Sequence, residues 1–302
     1  MWFGALALTV AGLWWRARHA RAMDAFTMQR RALGSDGVVI GGEGFELPRA
    51  GAPAILLLHG GGDTPQTLRY LGAELHARGF HVAAPLLPGH GRTLREFARV
   101  SANDLGDAAG SAYARLRQSH EWVAVIGLSM GGALGVQLAA EHPEVPALGL
   151  LAPYLAMPRR IAWIARLAPL WGLIVPAVRS GDGRSIHDPV EQDKSLAYGV
   201  FTPRALRALR ETMRRAVNAL PRVAAPTLVI QSREDNRIAA DDTARAFARL
   251  GATEKELVWV GGAGHIITVD YGRDAVIERV VTFMEAHAPP RVATGRERRI
   301  TS

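Results

Sequence analysis

The sequence predicts an α/β fold: a mostly parallel central sheet flanked by helices, with a helical cap inserted between two strands. Short apolar runs ending in glycine or polar loops alternate with segments of helical period, the pattern of β-α-β units with right-handed crossovers. Residues 153–222 interrupt that rhythm with helical patterns, prolines and no clear buried strand. "VIGLSMGG" sets a serine between glycines where an apolar run gives way to a helix-like stretch.

In chain order, "GVVIGGEGFELP" reads as two short strands with a glycine turn, and "APAILLLHGGG" as a strand buried on both faces. A helix follows over about Pro65–Arg78, with Leu68, Leu71 and Leu75 at helical spacing, then a strand and Pro/Gly loop in "GFHVAAPLLPGHG". The rest of the first half is a helix over Asn103–Gln118, strand "WVAVIG", helix Gly131–Glu141 and strand "ALGLLAP". Beyond the cap come strand "PTLVIQS", helix Ala239–Leu250, strand "KELVWVGG" and helix Asp274–His287. No internal repeat is visible. The chain divides into an apolar N-terminal segment and basic linker (1–33), a core in two parts (34–152 and 223–287), the cap (153–222) and a basic tail (288–302) expected to be disordered.

With 302 residues, 48% of them hydrophobic, the chain can bury a full core. It has no cysteine, which excludes disulfides and cysteine-held zinc. The net charge of +8 gathers at the two ends, with no basic stripe interleaved with aromatics between them, so nucleic acid is not an expected partner. The start, "MWFGALALTVAGLWW", has no basic residue ahead of it and no small-residue cleavage site, unlike a signal peptide. It is shorter than the ~20 residues that span a bilayer, yet Trp14, Trp15 and the arginines after them suit a membrane interface. Two readings stand: a membrane-anchoring helix, with association through residues 1–15 and the catalytic domain in the cytoplasm, or a cytoplasmic protein in which this stretch is a start-site extension or a helix packed on the domain. Oligomeric state is not legible.

A serine on a sharp strand-to-helix bend is held in a strained backbone that lifts its hydroxyl above the sheet. Side chains two residues before or after would collide with neighbouring elements, which accounts for Gly127 and Gly131 around Ser129. A base and an acid are needed to activate such a hydroxyl. His265 in "WVGGAGHIITVD" follows the last strand. Asp235 in "SREDNRI" follows the strand before it; Glu234 is the next choice, whereas Asp241 and Asp242 read as first-turn residues of a helix. The backbone N–H groups of Met130, after the serine, and of Gly61, in "HGGGDT", are the candidate oxyanion donors. His59 and His90 read as structural, and no carboxylate or cysteine lies at metal-ligand spacing from them. Trp163, Leu167, Leu170 and Trp171 in the cap are candidates to hold an apolar chain.

The stretches "LLLHGGG", "PLLPGHG", "GLSMGG", "SREDNRI" and "GHIITVD" resemble the α/β-hydrolase superfamily, and within it the bacterial carboxylesterase and monoacylglycerol lipase branch, from about Ala54 to Glu285. The resemblance implies an α/β-hydrolase fold and hydrolysis of a small-molecule ester, with Ser129, Asp235 and His265 as the triad and Gly61 and Met130 as the oxyanion hole. It calls for no cofactor and no metal. Thioester, amide or carbon–carbon cleavage by the same triad is an alternative, as is a membrane-associated binding protein that keeps the fold without catalysis. The apolar N-terminus and the long cap depart from the family pattern.

Overall fold

The computed structural model describes residues 2–29, 31–180 and 185–290. Seven strands build its main sheet: β1 (Phe45–Leu47), β2 (Ala54–Leu58), β3 (His81–Ala84), β4 (Val123–Leu128), β5 (Leu148–Leu151), β8 (Thr227–Ser232) and β9 (Lys255–Val260). Their order is β1-β3-β2-β4-β5-β8-β9, all parallel except the antiparallel edge strand β1. All five residues of β2 and all six of β4 are buried, as uninterrupted apolar runs require when helices cover both faces. Each Leu or Ile so placed contributes roughly 1.5–3 kcal/mol over an exposed position. The expected fold class is therefore the observed one.

One face of the sheet is covered by α4 (Ala102–Arg117) and α5 (Met130–Glu141), which share an apolar cluster including Leu105, Tyr113, Leu116, Leu134 and Leu138. The other carries α2 (Arg69–Ala77) and α11 (Arg273–His287), through Leu71, Leu75, Val280, Val281 and Met284. α10 (Ala240–Ala248) joins β8 to β9. A short helix, α3 (Leu94–Phe97), begins with Thr93 and Glu96 exchanging hydrogen bonds across the first turn.

Between β5 and β8 lie α6 (Arg159–Arg166), α7 (Ala168–Trp171), α8 (Pro189–Lys194) and α9 (Pro203–Ala219). α9 starts at a Thr202 cap with proline in its first turn and buries Ala205, Leu206, Leu209, Thr212 and Ala216, one stripe at three- and four-residue spacing. Gln137 of α5 donates to the Thr212 carbonyl at 3.1 Å and ties this helix to the core. The segment is not purely helical: β6 (Val178–Arg179) pairs antiparallel with β7 (Val200–Phe201). Strands of two residues are too short to leave a period in the sequence.

Two further expectations are corrected. In "GVVIGGEGFELP" only Phe45–Leu47 is a strand; Val39 makes an isolated bridge to Leu33, and Gly41 at φ 85° turns the chain away. The basic linker is no linker. A single helix, α1, runs from Trp2 to Met28, through a stretch free of proline and rich in alanine. Its second half is docked: Met23 and Phe26 pack against the core, Asp24 accepts from Leu94 N–H at 3.3 Å, and His19 Nε2 lies 3.1 Å from the Ala177 carbonyl. Among the described residues no helix is long and apolar enough to cross a membrane. From residue 291 on, the basic tail lies outside the described residues.

Candidate active site

The register aligns the carboxyl ends of the strands, with Leu58 opposite Gly127 and Leu128 opposite Leu151, and ligand sites of open α/β sheets lie at that edge. Ser129 follows β4 at φ 54° and ψ −114°, a left-handed region hostile to a side chain. The strain is held from both sides. Ser129 N–H donates to the Leu151 carbonyl at 2.9 Å, and its own carbonyl accepts from Tyr154 N–H at 2.9 Å. A Cβ on Gly127 would stand 2.2 Å from the Gly131 carbonyl oxygen, and one on Gly131 would stand 2.0 Å from that of Leu58. The two glycines clear the space that lets the bend exist.

The structure brings the three candidate side chains together. Ser129 Oγ lies 2.8 Å from His265 Nε2, and His265 Nδ1 lies 2.7 Å from Asp235 Oδ2. Asp235 Oδ2 also accepts from Gln231 at 2.6 Å; Oδ1 accepts from the N–H groups of Arg237 and Ile238 at 2.6 and 3.0 Å. Burial pushes the Asp235 pKa up, but the His265 ring and those two N–H groups together hold it below the ordinary carboxylate value. An ionised Asp235 takes the Nδ1 proton as hydrogen-bond partner and leaves Nε2 as the acceptor facing the serine. Glu234 points elsewhere, accepting from Gly262 N–H, and Asp241 and Asp242 occupy the first turn of α10.

Gly61 and Met130 adjoin each other: a Cβ on Gly61 would meet Met130 Sδ at 3.2 Å. Neither backbone N–H donates to an acceptor among the described residues. Behind them His59 is fully buried, its Nδ1 beside the Gly60 carbonyl at 2.9 Å and its Nε2 accepting from Leu87 N–H at 3.0 Å, so the ring braces the loop. Burial and then the neighbouring His90 depress its pKa well below the usual value; burial takes His90 down to about 4. Both rings are neutral struts. No group of histidines and acids among the described residues could hold a metal ion.

Ser129, Gly61 and His265 open into a cavity of about 940 Å³. Its apolar wall is not the one expected. Trp163, Leu167 and Leu170 are exposed and, with Trp171, stay out of the lining, while Pro158, Ile161 and Ile164 on the opposite stripe of the same segment enter it with Leu206 and Leu209 of α9. Two other residues escaped sequence reasoning. Asp270, 2% exposed, accepts four backbone N–H groups at 2.7–2.8 Å: Gly264, His187, Asp188 and Tyr271. It clamps the His265 loop to the cap. Asp63, 4% exposed, accepts from the Thr67 hydroxyl at 2.7 Å through Oδ2, while Oδ1 has no partner. Asp270 was signalled only by its place at the end of "GHIITVD"; Asp63 closes the loop "HGGGD".

A parallel sheet with a serine on the bend after its central strand, an imidazole after the last strand and a helical cap defines an α/β-hydrolase. Residues 51–271 match the family model described as serine aminopeptidase, S33, and the chain belongs to that family. It is similar to a thermostable monoacylglycerol lipase of Bacillus sp. (strain H-257), 30% identical over 79% of this chain and 92% of that one. It is also similar to a carboxylesterase of Bacillus subtilis (strain 168), 27% identical over 78% and 94%. Among solved structures, one of the metagenome-derived lipolytic enzymes LipS and LipT superposes with a TM-score of 0.75 at 30% identity, over 82% of this chain and 98% of that one. The Paleococcus ferrophilus monoacylglycerol lipase shares the fold, with a TM-score of 0.69 at 22% identity over 81% and 99%.

Proposed function

We propose that the protein is a serine hydrolase of carboxylic esters that works through an acyl-enzyme on Ser129. The observation that carries this reading is the pair of short hydrogen bonds from Ser129 to His265 and from His265 to Asp235. His265 Nε2 takes the hydroxyl proton as Ser129 Oγ attacks the ester carbon. The oxygen that becomes negative is received by the N–H groups of Gly61 and Met130, a role in which a single donor is worth about 10²–10³ in rate. His265 then gives its proton to the leaving alcohol, and water enters with the same ring as base. The names of the two Bacillus relatives, a lipase and a carboxylesterase, favour esters over the amides of an aminopeptidase. Ile161, Ile164, Leu206 and Leu209 suit an apolar acyl chain.

The test is a fluorophosphonate probe with p-nitrophenyl esters. Ser129 becomes labelled, and Ser129→Ala loses labelling and on the order of 10⁴ or more in rate. A folded wild-type protein that neither labels nor turns over esters sinks the reading in favour of a non-catalytic binder.

The same proposal places the enzyme on anionic lipid surfaces without spanning them. Leu13, Trp14 and Trp15 of α1 and Trp163, Leu170, Leu173 and Ile174 of the cap are all exposed, and Arg16 donates to the Gly172 carbonyl, so the two apolar faces adjoin. Exposed arginines 18, 21, 159, 160 and 166 lie on the same helices, matching negative headgroups. Full-length protein co-sediments with vesicles containing phosphatidylglycerol and less with pure phosphatidylcholine; no binding to the former refutes the placement.

A further inference from the structure

α1 lies outside the segment matched by the family model, yet its end reaches the cavity. Just beyond it, Arg31 is 8% exposed and lines the same cavity as Ser129. Its guanidinium carries five N–H donors, and its hydrogen-bond partners among the described residues are neutral: Nε donates to the Thr27 carbonyl at 2.5 Å and Nη1 to that of Leu196 at 3.3 Å. The Tyr198 ring stacks on it with 4.5 Å from Cζ to the ring centre. Nη2 is buried with no hydrogen-bond partner among the described residues. The acid whose field reaches it, Asp24, spends a carboxylate oxygen on Leu94 N–H. Arg179, stacked on Phe26, adds a second cation to this part of the wall. A buried charge with an idle donor is costly unless something pairs with it. Arg31 and Ser129 line one cavity, and a planar fork of N–H groups suits a carboxylate or phosphate.

We propose that Arg31 is an anion-binding subsite, and that the substrate is an ester whose far end carries a carboxylate or a phosphate. This rests on the ester-hydrolase reading above. The reacting ester sits at Ser129 and the chain crosses the apolar stretch between. Its acidic end then supplies a directly paired counter-ion, which Arg31 lacks among the described residues.

Two measurements test it. In the first, Ser129→Ala protein is titrated calorimetrically with suberate, octyl phosphate and 1,8-octanediol. At least one of the anions binds more tightly than the diol, and adding Arg31→Met lowers that preference at least tenfold; which anion responds distinguishes carboxylate from phosphate. In the second, kcat/KM for the p-nitrophenyl hemiester of suberic acid is divided by that for p-nitrophenyl octanoate. The ratio falls at least tenfold in Arg31→Met and is partly restored in Arg31→Lys. A preference unaltered by Arg31→Met, with or without a fall in melting temperature, overturns the proposal and leaves Arg31 as a strut between α1 and Leu196. Wild type that cleaves neither ester while anions still bind in the first measurement defeats the hydrolase reading and not the subsite.

Discussion

Replacing Asp63 with asparagine changes the pH dependence of stability in a direction the structure dictates. Burial raises the Asp63 pKa from 3.8 to about 6, against the opposing pull of the Thr67 hydroxyl, the Thr64 N–H and the His265 ring. A carboxyl that binds its proton more tightly folded than unfolded favours the folded state less and less as pH climbs from the unfolded pKa to the folded one. Below pH 3.8 it makes no difference; above pH 6 the whole penalty is present. At about 1.36 kcal/mol per pH unit, the gap amounts to about 3 kcal/mol. Asparagine keeps an oxygen for Thr67 and cannot ionise. Urea unfolding of wild type and Asp63→Asn at pH 4, 5, 6 and 7 therefore gives a stability difference that moves in favour of the variant by up to about 3 kcal/mol across that range. Titrating groups that do not interact with Asp63 cancel in the difference. A difference that stays flat from pH 4 to 7 shows a solvated Asp63 and refutes the argument.

Gly131→Ala places a methyl 2.0 Å from the Leu58 carbonyl oxygen, and either the bend or β2 must move. Loss of Ser129 labelling with a destabilisation of about 1–3 kcal/mol or more is expected, whereas Gly106→Ala, in α4 with nothing within 4 Å, gains up to about 1 kcal/mol; denaturation curves and probe labelling separate the two. Asp270→Ala strands four backbone N–H groups, two on the His187–Asp188 turn of the cap and two flanking the His265 loop. Stability drops by about 2–4 kcal/mol, and ester turnover falls beyond what the unfolded fraction explains; retention of full turnover by the folded variant contradicts the positioning role.

Much of the sheet and the candidate catalytic trio was legible in the sequence because each piece has a local signature. β2 and β4 are unbroken apolar runs, Gly127 and Gly131 bracket the serine, and Asp235 and His265 stand just past the ends of β8 and β9. What escaped was set by distant partners. Burial of Arg31 depends on Thr27, Tyr198 and Leu196, the last two more than 160 positions away. The stripe of α6 that lines the cavity, Ile161 and Ile164 and not Trp163, is chosen by how that short helix lies over it, since both stripes are apolar. The pairing of β6 with β7 likewise joins segments that carry no pattern of their own.

Phe26, Thr27 and Arg31 give the start of the chain a share in a chamber whose candidate reacting groups all come later. Trimming the protein to the stretch that its relatives share, a common step in preparing an enzyme with an awkward greasy leader, would keep Ser129, Asp235 and His265 and remove a side of the vessel. Such a shortened enzyme would hydrolyse activated esters and still misreport which molecules the intact protein selects.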